Sequence, residues 1–267
     1  MIETLREWLV DPSVARLDVD SAEFSVAHRR VLQRKVILRS LFEKFYQECR
    51  SMDLRFFDAC PGIRIEIGSG AGIIRDFFPD VITSDIKQLP FVEIVLTADR
   101  LPFADCSIRA IYAINVFHHL PSPTRFLNEA LRVLHSGGGL VLIEPFHGPV
   151  AAWLFKNLHK TEAYEPQAES WETPNGMGPF SNANQALSYM IFKRDRERFE
   201  AEFPQLEIVQ DQPHTHLWYI LSGGLNFRQL VPNSFATPIR FLEWALSPLD
   251  RWIALQHTIV LRKRVSA

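Results

Sequence analysis

Apolar residues along this chain follow two different periods. Short runs of the strand type occupy residues 63–67, 81–84, 92–97, 108–116, 140–144, 206–210 and 257–261. Several of the segments between them show the helical spacing of i, i+3 and i+4. This alternation of strands and helices is typical of an α/β protein.

A long helix is predicted ahead of the first strand, from Ser21 to Arg50. Its apolar side chains form one stripe, at Leu38, Leu41, Phe42, Phe45, Tyr46 and Cys49. We expect the stripe to pack against the sheet, with a lid over a bound ligand as the alternative. Residues 1–60 are assigned to this N-terminal extension, which Pro61-Gly62 ends.

Three glycines, Gly68, Gly70 and Gly72, follow the first predicted strand. The apolar spacing from residue 73 to residue 78 then predicts a helix after a tight turn. Glycine adopts positive φ and lets a ligand approach the backbone, and open α/β sheets bind ligands at the carboxyl ends of their strands. Asp85 ends the next strand, where an acid can hold ribose hydroxyls. A nucleoside-like ligand is therefore expected here.

Two details narrow the class of ligand. Ile73 stands where the dinucleotide fingerprint has its third glycine, and no Lys-Ser or Lys-Thr pair follows as in a P-loop. Glu66, two residues before the first glycine, would repel a pyrophosphate but suits an ammonium group. The ligand is thus expected to be cationic and free of phosphate. A generic strand-to-helix turn with incidental acids is the alternative.

These residues resemble a known family. Glu66 and the glycines match acidic-x-Gly-x-Gly-x-Gly, the first motif of the class I S-adenosylmethionine-dependent methyltransferases. Three further features match: Asp99 before Leu-Pro-Phe, Phe-His-His-Leu-Pro after the fourth strand, and a fifth strand ending in Glu-Pro. Over residues 60–147 the chain is similar to the small-molecule methyltransferases of that superfamily. A nicotinamide oxidoreductase is a weaker alternative.

The resemblance implies a fold, a cofactor and a binding site. The fold is a Rossmann-like, doubly wound sheet of seven mostly parallel strands, with an antiparallel last strand, an N-terminal helix and a lid insertion after strand 5. The cofactor is S-adenosylmethionine, with Asp99 accepting from the adenine amino group. The predicted cofactor-binding residues are Glu66, Gly68, Ser69, Gly70, Gly72, Asp85, Ile86, Asp99, Arg100 and Asn115.

The resemblance also divides the chain. Residues 61–147 form the cofactor-binding core, residues 148–205 the lid or substrate insertion, and residues 206–267 the C-terminal part of the same α/β domain. One departure from the family is Ile108-Arg109, where relatives usually carry Phe-Asp. That position lies away from the methyl group in the family fold, so we expect it to affect local packing more than activity.

The insertion is rich in aromatic residues, namely Trp153, Phe155, Tyr164, Trp171, Phe180, Tyr189 and Phe192. As a lid, these rings would suit an apolar or ring-containing acceptor. The alternative is that they only pack the insertion. Turn formers at residues 174–176 and 178–179 interrupt it, and the charged run 193–200 is expected to be a solvated helix face.

The stretch from Phe235 to Ala254 predicts one or two amphipathic helices, split at Ser247-Pro248. Their predicted apolar face holds Ile239, Leu242, Leu246, Leu249, Trp252 and Ile253. We expect this face to pack on the protein's own sheet. Contact with a membrane surface is the alternative.

Composition and charge restrict the possible functions. The 267 residues are 47% hydrophobic and 22% charged, with a formal net charge of -2, which leaves no basic footprint for nucleic acid. The three cysteines form no C-x-x-C pair, so neither a disulfide framework nor a metal site is indicated. With no secretory signal and no apolar run of about 20 residues, we expect a cytoplasmic protein.

Methyl transfer from a sulfonium is an in-line displacement, so positioning in a water-poor pocket supplies most of the catalysis. A base is required only when the nucleophile is protonated. The candidates are His118, His119 and His147, and neighbours at a strand end face opposite ways, so one of the first two should face the pocket. His214 and His216 are expected to line a pocket or the surface.

The sequence therefore predicts an S-adenosylmethionine-dependent methyltransferase that acts on a small-molecule or lipid-like acceptor. The alternative is a non-catalytic module that keeps the cofactor fold as a scaffold for a protein partner. The acceptor, its attacking atom and the oligomeric state stay open.

Overall fold

A seven-stranded sheet forms the centre of the protein, in a computed structural model that describes residues 8–57, 60–157, 162–173, 183–215 and 217–265. The strands are β1 (Ile63–Ile67), β2 (Val81–Asp85), β3 (Ile94–Val95), β4 (Ile108–Ile114), β5 (Leu134–Pro145), β6 (Leu206–His214) and β7 (Gln256–Lys263). They lie in the order β3-β2-β1-β4-β5-β7-β6, and β7 is antiparallel to both of its neighbours. The predicted Rossmann-like sheet with an antiparallel last strand is confirmed.

Helices cover both faces of the sheet. They are α1 (Ala22–Arg34), α2 (Val36–Phe56), α3 (Pro123–Val133), α4 (Pro149–Asn157), α5 (Leu187–Tyr189), α6 (Arg196–Glu202), α7 (Leu217–Ser222), α8 (Ala236–Leu246) and α9 (Asp250–Ile253). One buried apolar cluster lies on each face, as a doubly wound sheet requires. Within the described ranges, the helices lack the combined length and apolar character needed to cross a bilayer.

The N-terminal helix is broken where the sequence predicts a continuous one. Lys35 separates α1 from α2, with an extended backbone at φ -88° and ψ 92°. Its buried ammonium group donates to the carbonyl oxygens of Gly224, at 2.9 Å, and Phe227. The prediction of one continuous helix was wrong, because the spacing of apolar residues gives no sign of a lysine that points inward. The apolar stripe of α2 does pack against the sheet, as expected.

The chain after the glycine turn also differs from the prediction. Residues 73–78 form only a 3-10 turn, Ile74–Asp76, instead of a helix. Ile73 and Ile74 are buried in the cluster that contains the α2 stripe. Because α2 already covers this part of the sheet face, the connection to β2 is short.

The glycines that follow α3 belong to the sheet and are explained by packing. α3 begins at Pro123, where the Ser122 side chain accepts from the backbone of Arg125, and it ends at Val133, before the three glycines at 137–139. These glycines lie inside β5, where a Cβ on Gly139 would stand 2.1 Å from the carbonyl oxygen of Leu261. Close strand packing, and not helix termination, therefore accounts for that glycine.

Arg109, the departure from the family pattern, belongs to a buried ionic network around Asp53 of α2. The fully buried carboxylate of Asp53 accepts from Arg109 Nε at 2.7 Å, from Arg64 Nε at 2.5 Å and from the Tyr112 hydroxyl at 2.8 Å. Arg64 lies on β1, while Arg109 and Tyr112 lie on β4. The network thus ties the N-terminal extension to two central strands, and it bears on packing as expected.

The aromatic residues of the insertion differ in how deeply they are buried. Trp171 and Phe192 are buried in the core cluster on the face opposite α2, and Trp171 Nε1 donates to Asp195 at 2.8 Å. Trp153 is exposed, and Tyr164 and Tyr189 are partly buried. Phe180 and the turn formers at 174–176 and 178–179 lie outside the described residues. Core packing therefore explains Trp171 and Phe192, while Tyr164 and Tyr189 are considered with the site below.

Candidate active site

The glycine turn leaves open backbone at the carboxyl end of β1. Gly68, Gly70 and Gly72 have φ values of 62°, 49° and 61°, a region that favours glycine. A Cβ on Gly68 would stand 2.5 Å from the Val116 side chain, whereas one on Gly70 would approach nothing nearer than 3.8 Å. The backbone at Gly70 therefore faces open space that a ligand can occupy.

Glu66 lies just before this turn and is almost fully buried. Burial raises the pKa of its carboxyl group to about 8, against opposing hydrogen bonds from Ser69 and Tyr46. Its Oε2 atom is buried without a hydrogen-bond partner among the described residues. A buried acceptor of this kind carries a desolvation cost that a cationic donor would relieve. This orphaned oxygen fits the ammonium group of the expected cofactor.

Asp85 closes the turn from β2. Its Oδ2 atom accepts from the backbone of Gly70 at 2.9 Å, and its Oδ1 atom accepts from the backbone of Lys87 at 2.9 Å. Ser69 joins the same two strands, since its Oγ accepts from the backbone of Ser84 at 3.1 Å. The side chain of Ile86, next along the chain, is 53% exposed. The turn thus places a buried carboxylate beside an exposed apolar side chain.

The other predicted cofactor contacts lie at neighbouring strand ends. Asp99 and Arg100 occupy an exposed turn between Thr97 and Arg100 that follows β3. Asn115 follows β4 with a positive φ of 53°, and its Oδ1 accepts from Gln256 Nε2 at 3.0 Å. The topology brings these residues to the edge of the sheet that holds the glycine turn. Their roles stay predictions.

His118 and His119 point the same way, so the expectation that they diverge was wrong. They lie in a 3-10 turn, Phe117–His119, and their ring centroids are 4.2 Å apart. Glu162 of the insertion faces both rings, 3.4 Å from His118 Nε2 and 4.0 Å from His119 Nε2. A 3-10 turn does not alternate its side chains as an extended strand does.

Glu144 organises this turn from the end of β5. Its fully buried carboxylate accepts from the backbone of Val116, Phe117 and His118, at 2.9, 2.8 and 3.2 Å, and contacts His118 Nδ1 at 2.5 Å. Sequence analysis used Glu144 only as a family marker, because the partners that give it this role are backbone groups 26 to 28 residues away.

The charge of His118 follows from these carboxylates. Burial alone would lower the pKa of the imidazole, but Glu144 and Glu162 reverse that effect and raise it to about 10. This favours the imidazolium near neutral pH, and the role of His118 in the reaction stays a prediction. His118, His119 and Glu162 also bring donor atoms within 4.8 Å of one another, a grouping that the spacing did not predict. In this protonation state the group is an ion-pair network.

This network predicts a pH dependence of stability. Since the folded pKa of His118 is raised, its contribution is fully present below about pH 6.5 and is lost as the pH rises toward about 10. The pKa of Glu144 is lowered, against the effect of its burial, mainly by His118, so its contribution is lost when the pH falls through the acidic range. Urea unfolding should show the free energy of unfolding falling on the alkaline side of pH 6.5. A His118→Gln variant should lose that alkaline decline, and an unchanged decline would contradict the assignment.

His147 forms a second group, beyond the end of β5. Its Nδ1 atom shares a hydrogen bond of 2.5 Å with the Tyr164 hydroxyl, and its ring stacks on Tyr189 with centroids 3.7 Å apart. Burial, with a further contribution from Lys193, lowers the pKa of His147, so the imidazole is neutral near pH 7. Of His118 and His147, only His147 has a pKa shift that suits a proton acceptor. Tyr164 and Tyr189 are contacts that sequence analysis assigned only to the aromatic insertion.

Residues 65–142 match the family model described as "Methyltransferase domain". This range holds the glycine turn, Asp85 and the His118 turn. Within this range the chain resembles a methyltransferase domain. No curated protein sequence matches this chain.

Several solved structures are similar to this chain at low identity. Geranyl diphosphate C-methyltransferase from Streptomyces coelicolor A3(2) has 13% identity and a TM-score of 0.49, covering 96% of this chain and 89% of that one. The YcgJ protein from Bacillus subtilis has 14% identity and a TM-score of 0.44, covering 83% and 99%. A possible histamine N-methyltransferase from Thermotoga maritima has 14% identity and a TM-score of 0.45, covering 88% and 99%.

Proposed function

We propose that this protein transfers the methyl group of S-adenosylmethionine to a small-molecule or lipid-like acceptor. The observation that carries the proposal is the buried Oε2 of Glu66, which has no hydrogen-bond partner among the described residues, in the same turn as the open backbone of Gly70. A scaffold without a ligand gains nothing from a buried carboxyl oxygen of this kind, whereas the ammonium group of a cationic nucleoside would donate to it.

Each part of the turn has a distinct task in this proposal. Glu66 accepts from the α-amino group of the cofactor, and Asp85 accepts from the ribose hydroxyls. Ile86 packs on the adenine, whose amino group donates to Asp99. Bound S-adenosylmethionine supplies an electrophilic methyl group with a neutral thioether as the leaving group. The protein then has to align the acceptor and exclude water.

The acceptor lies, in this proposal, between the ends of β4 and β5 and the insertion. The ion pairs of His118 with Glu144 and Glu162 hold the insertion against the β4 end, which makes His118 a positioning residue. His147, neutral and bonded to Tyr164, takes a proton from an acceptor hydroxyl or ammonium. The rings of Tyr164 and Tyr189 beside it favour an acceptor with an apolar part.

Removal of the Asp85 carboxylate should weaken cofactor binding strongly. We expect Asp85→Ala to raise the Kd for S-adenosylhomocysteine by about ten-fold to one-hundred-fold, since charge-assisted hydrogen bonds contribute roughly 1.5–3 kcal/mol. Ligand-induced shifts of Tm measure the Kd. Asp76→Ala is the matched control, because Asp76 lies on the adjoining 3-10 turn and pairs outward with Arg39 at 2.9 Å. Equal affinities of the wild type and Asp85→Ala would remove Asp85 from the site.

The test of the function is turnover. The purified chain is incubated with methyl-labelled S-adenosylmethionine and, separately, with aqueous and lipid extracts of cells. We expect label to enter an extract component, with S-adenosylhomocysteine formed in equal amount. Tight cofactor binding without labelling of any extract would favour the non-catalytic binding module instead.

A further inference from the structure

The segment that contains α8 and α9 exposes large apolar side chains to solvent. The aromatic face, as we call it, consists of Phe235, Phe241, Leu242, Trp244, Leu249 and Trp252, each 42% to 70% exposed. Sequence analysis predicted that Leu242, Leu249 and Trp252 would pack inward, and this was wrong. Six large apolar side chains exposed within one short segment are more than scattered surface residues.

The buried side of α8 explains why these apolar side chains face outward. Its buried residues are Ile239 and Glu243, and the Glu243 carboxylate accepts from the backbone of Trp218 at 2.7 Å. Glu243 thereby satisfies an amide at the start of α7, where a negative charge is favoured. With the acid held inside, the aromatic residues of α8 face outward. The helix thus turns its aromatic side chains to solvent and an acidic side chain inward, which is the reverse of a helix that covers a core.

The most exposed charges of the same segment are positive, although Glu43 and Glu48 of α2 lie near Arg240. Arg240 and Arg251 are exposed, while Glu243 is buried and Asp250 is half-buried. Arg251 lies over the Trp252 ring at 3.8 Å, so a cation and an aromatic ring occupy the same part of the face. α9 also packs against α4, which exposes Val150 and Trp153. The apolar surface therefore extends beyond α8 and carries exposed arginines.

We propose that the aromatic face docks on an anionic lipid surface. Exposed Trp, Phe and Leu with arginines beside them are the composition of helices that lie in the headgroup region. The arginines attract anionic lipids, and the rings enter the acyl boundary. The chain then binds at the surface of a bilayer without crossing it. The proposal is independent of methyl transfer, because docking requires neither cofactor nor acceptor.

The experiment is sedimentation of the full chain with vesicles of phosphatidylcholine, with and without phosphatidylglycerol. We expect binding to the anionic vesicles that weakens at about 1 M salt, where the screening length is about 3 Å. Phe241→Ser with Trp244→Ser should lower the partition coefficient at least about ten-fold, since 1.4 kcal/mol corresponds to ten-fold. Arg240→Gln with Arg251→Gln should cost about five-fold for each arginine on anionic vesicles only.

The control is Leu54→Ser. Leu54 is 59% exposed and lies near the C-terminal end of α2, outside the aromatic face. This variant should bind vesicles as the wild type does, and circular dichroism should show every variant folded. Protein that stays in the supernatant with both vesicle types overturns the proposal. A second outcome also overturns it: the wild type does not bind vesicles, light scattering shows that it is a dimer, and the Phe241→Ser and Trp244→Ser double variant is a monomer.

Discussion

Replacement of Asp53 by alanine is expected to lower the free energy of unfolding by about 3–5 kcal/mol, the loss typical of breaking a buried ion pair. Asp53 is fully buried, and its removal leaves the guanidinium of Arg109 buried without a carboxylate. The Tyr112 hydroxyl also loses its acceptor. Equilibrium denaturation in urea measures the loss.

Asp80→Ala is the matched control for this prediction. Asp80 is a half-exposed carboxylate that pairs with Arg50 at 2.6 Å and with Arg64 at 3.3 Å. Exposed pairs contribute about 0–1 kcal/mol, so this variant should stay close to the wild type. Similar losses for both variants would contradict the view that the Asp53 network holds the N-terminal extension on the sheet.

Replacement of His147 by glutamine should reduce kcat by about 10²–10⁴-fold, the usual contribution of a positioned general base. The prediction rests on the proposed function and on an acceptor that is protonated near neutral pH. Because the pKa of His147 is lowered, wild-type activity should persist into mildly acidic conditions, and the variant should recover activity as the pH rises. Profiles of kcat against pH measure both effects.

Tyr164→Phe tests the same site with a smaller change. It removes the hydroxyl bonded to His147 Nδ1 but keeps the ring, so it should lower kcat far less than His147→Gln does. An unchanged Kd for S-adenosylhomocysteine in both variants would place the effect on the reaction. If His147→Gln keeps the full kcat and pH profile, the acceptor needs no base from this residue.

Local sequence patterns predicted those parts of the fold that depend on residues close to one another in the sequence. The glycine turn and the alternating strands depend on contacts within a few positions, and the resemblance to a known family implied the topology. The break at Lys35 and the inward turn of Glu243 depend on partners about 190 and 25 residues away. Periodicity assigns such polar residues to the surface, so it could not predict them.

The candidate site was predictable in part for the same reason. Glu66 and the glycines belong to one contiguous motif, Asp85 ends the next strand, and the structure joins Asp85 to Gly70. Glu144, Glu162 and Tyr164 acquire their roles from the ends of different elements. A sequence without structure could place His118 and His147 at strand ends, but the opposite directions of their pKa shifts follow only from their neighbours.

Calorimetric titration of the folded wild-type chain with S-adenosylmethionine, and in parallel with NAD, shows whether the glycine turn holds a cationic nucleoside. We expect saturable binding of one S-adenosylmethionine per chain and no binding of the pyrophosphate-containing nucleotide beside Glu66. Binding of NAD would contradict this assignment. So would the absence of S-adenosylmethionine binding at about millimolar concentration, where even a site with a favourable binding free energy of only about 4 kcal/mol would be partly occupied.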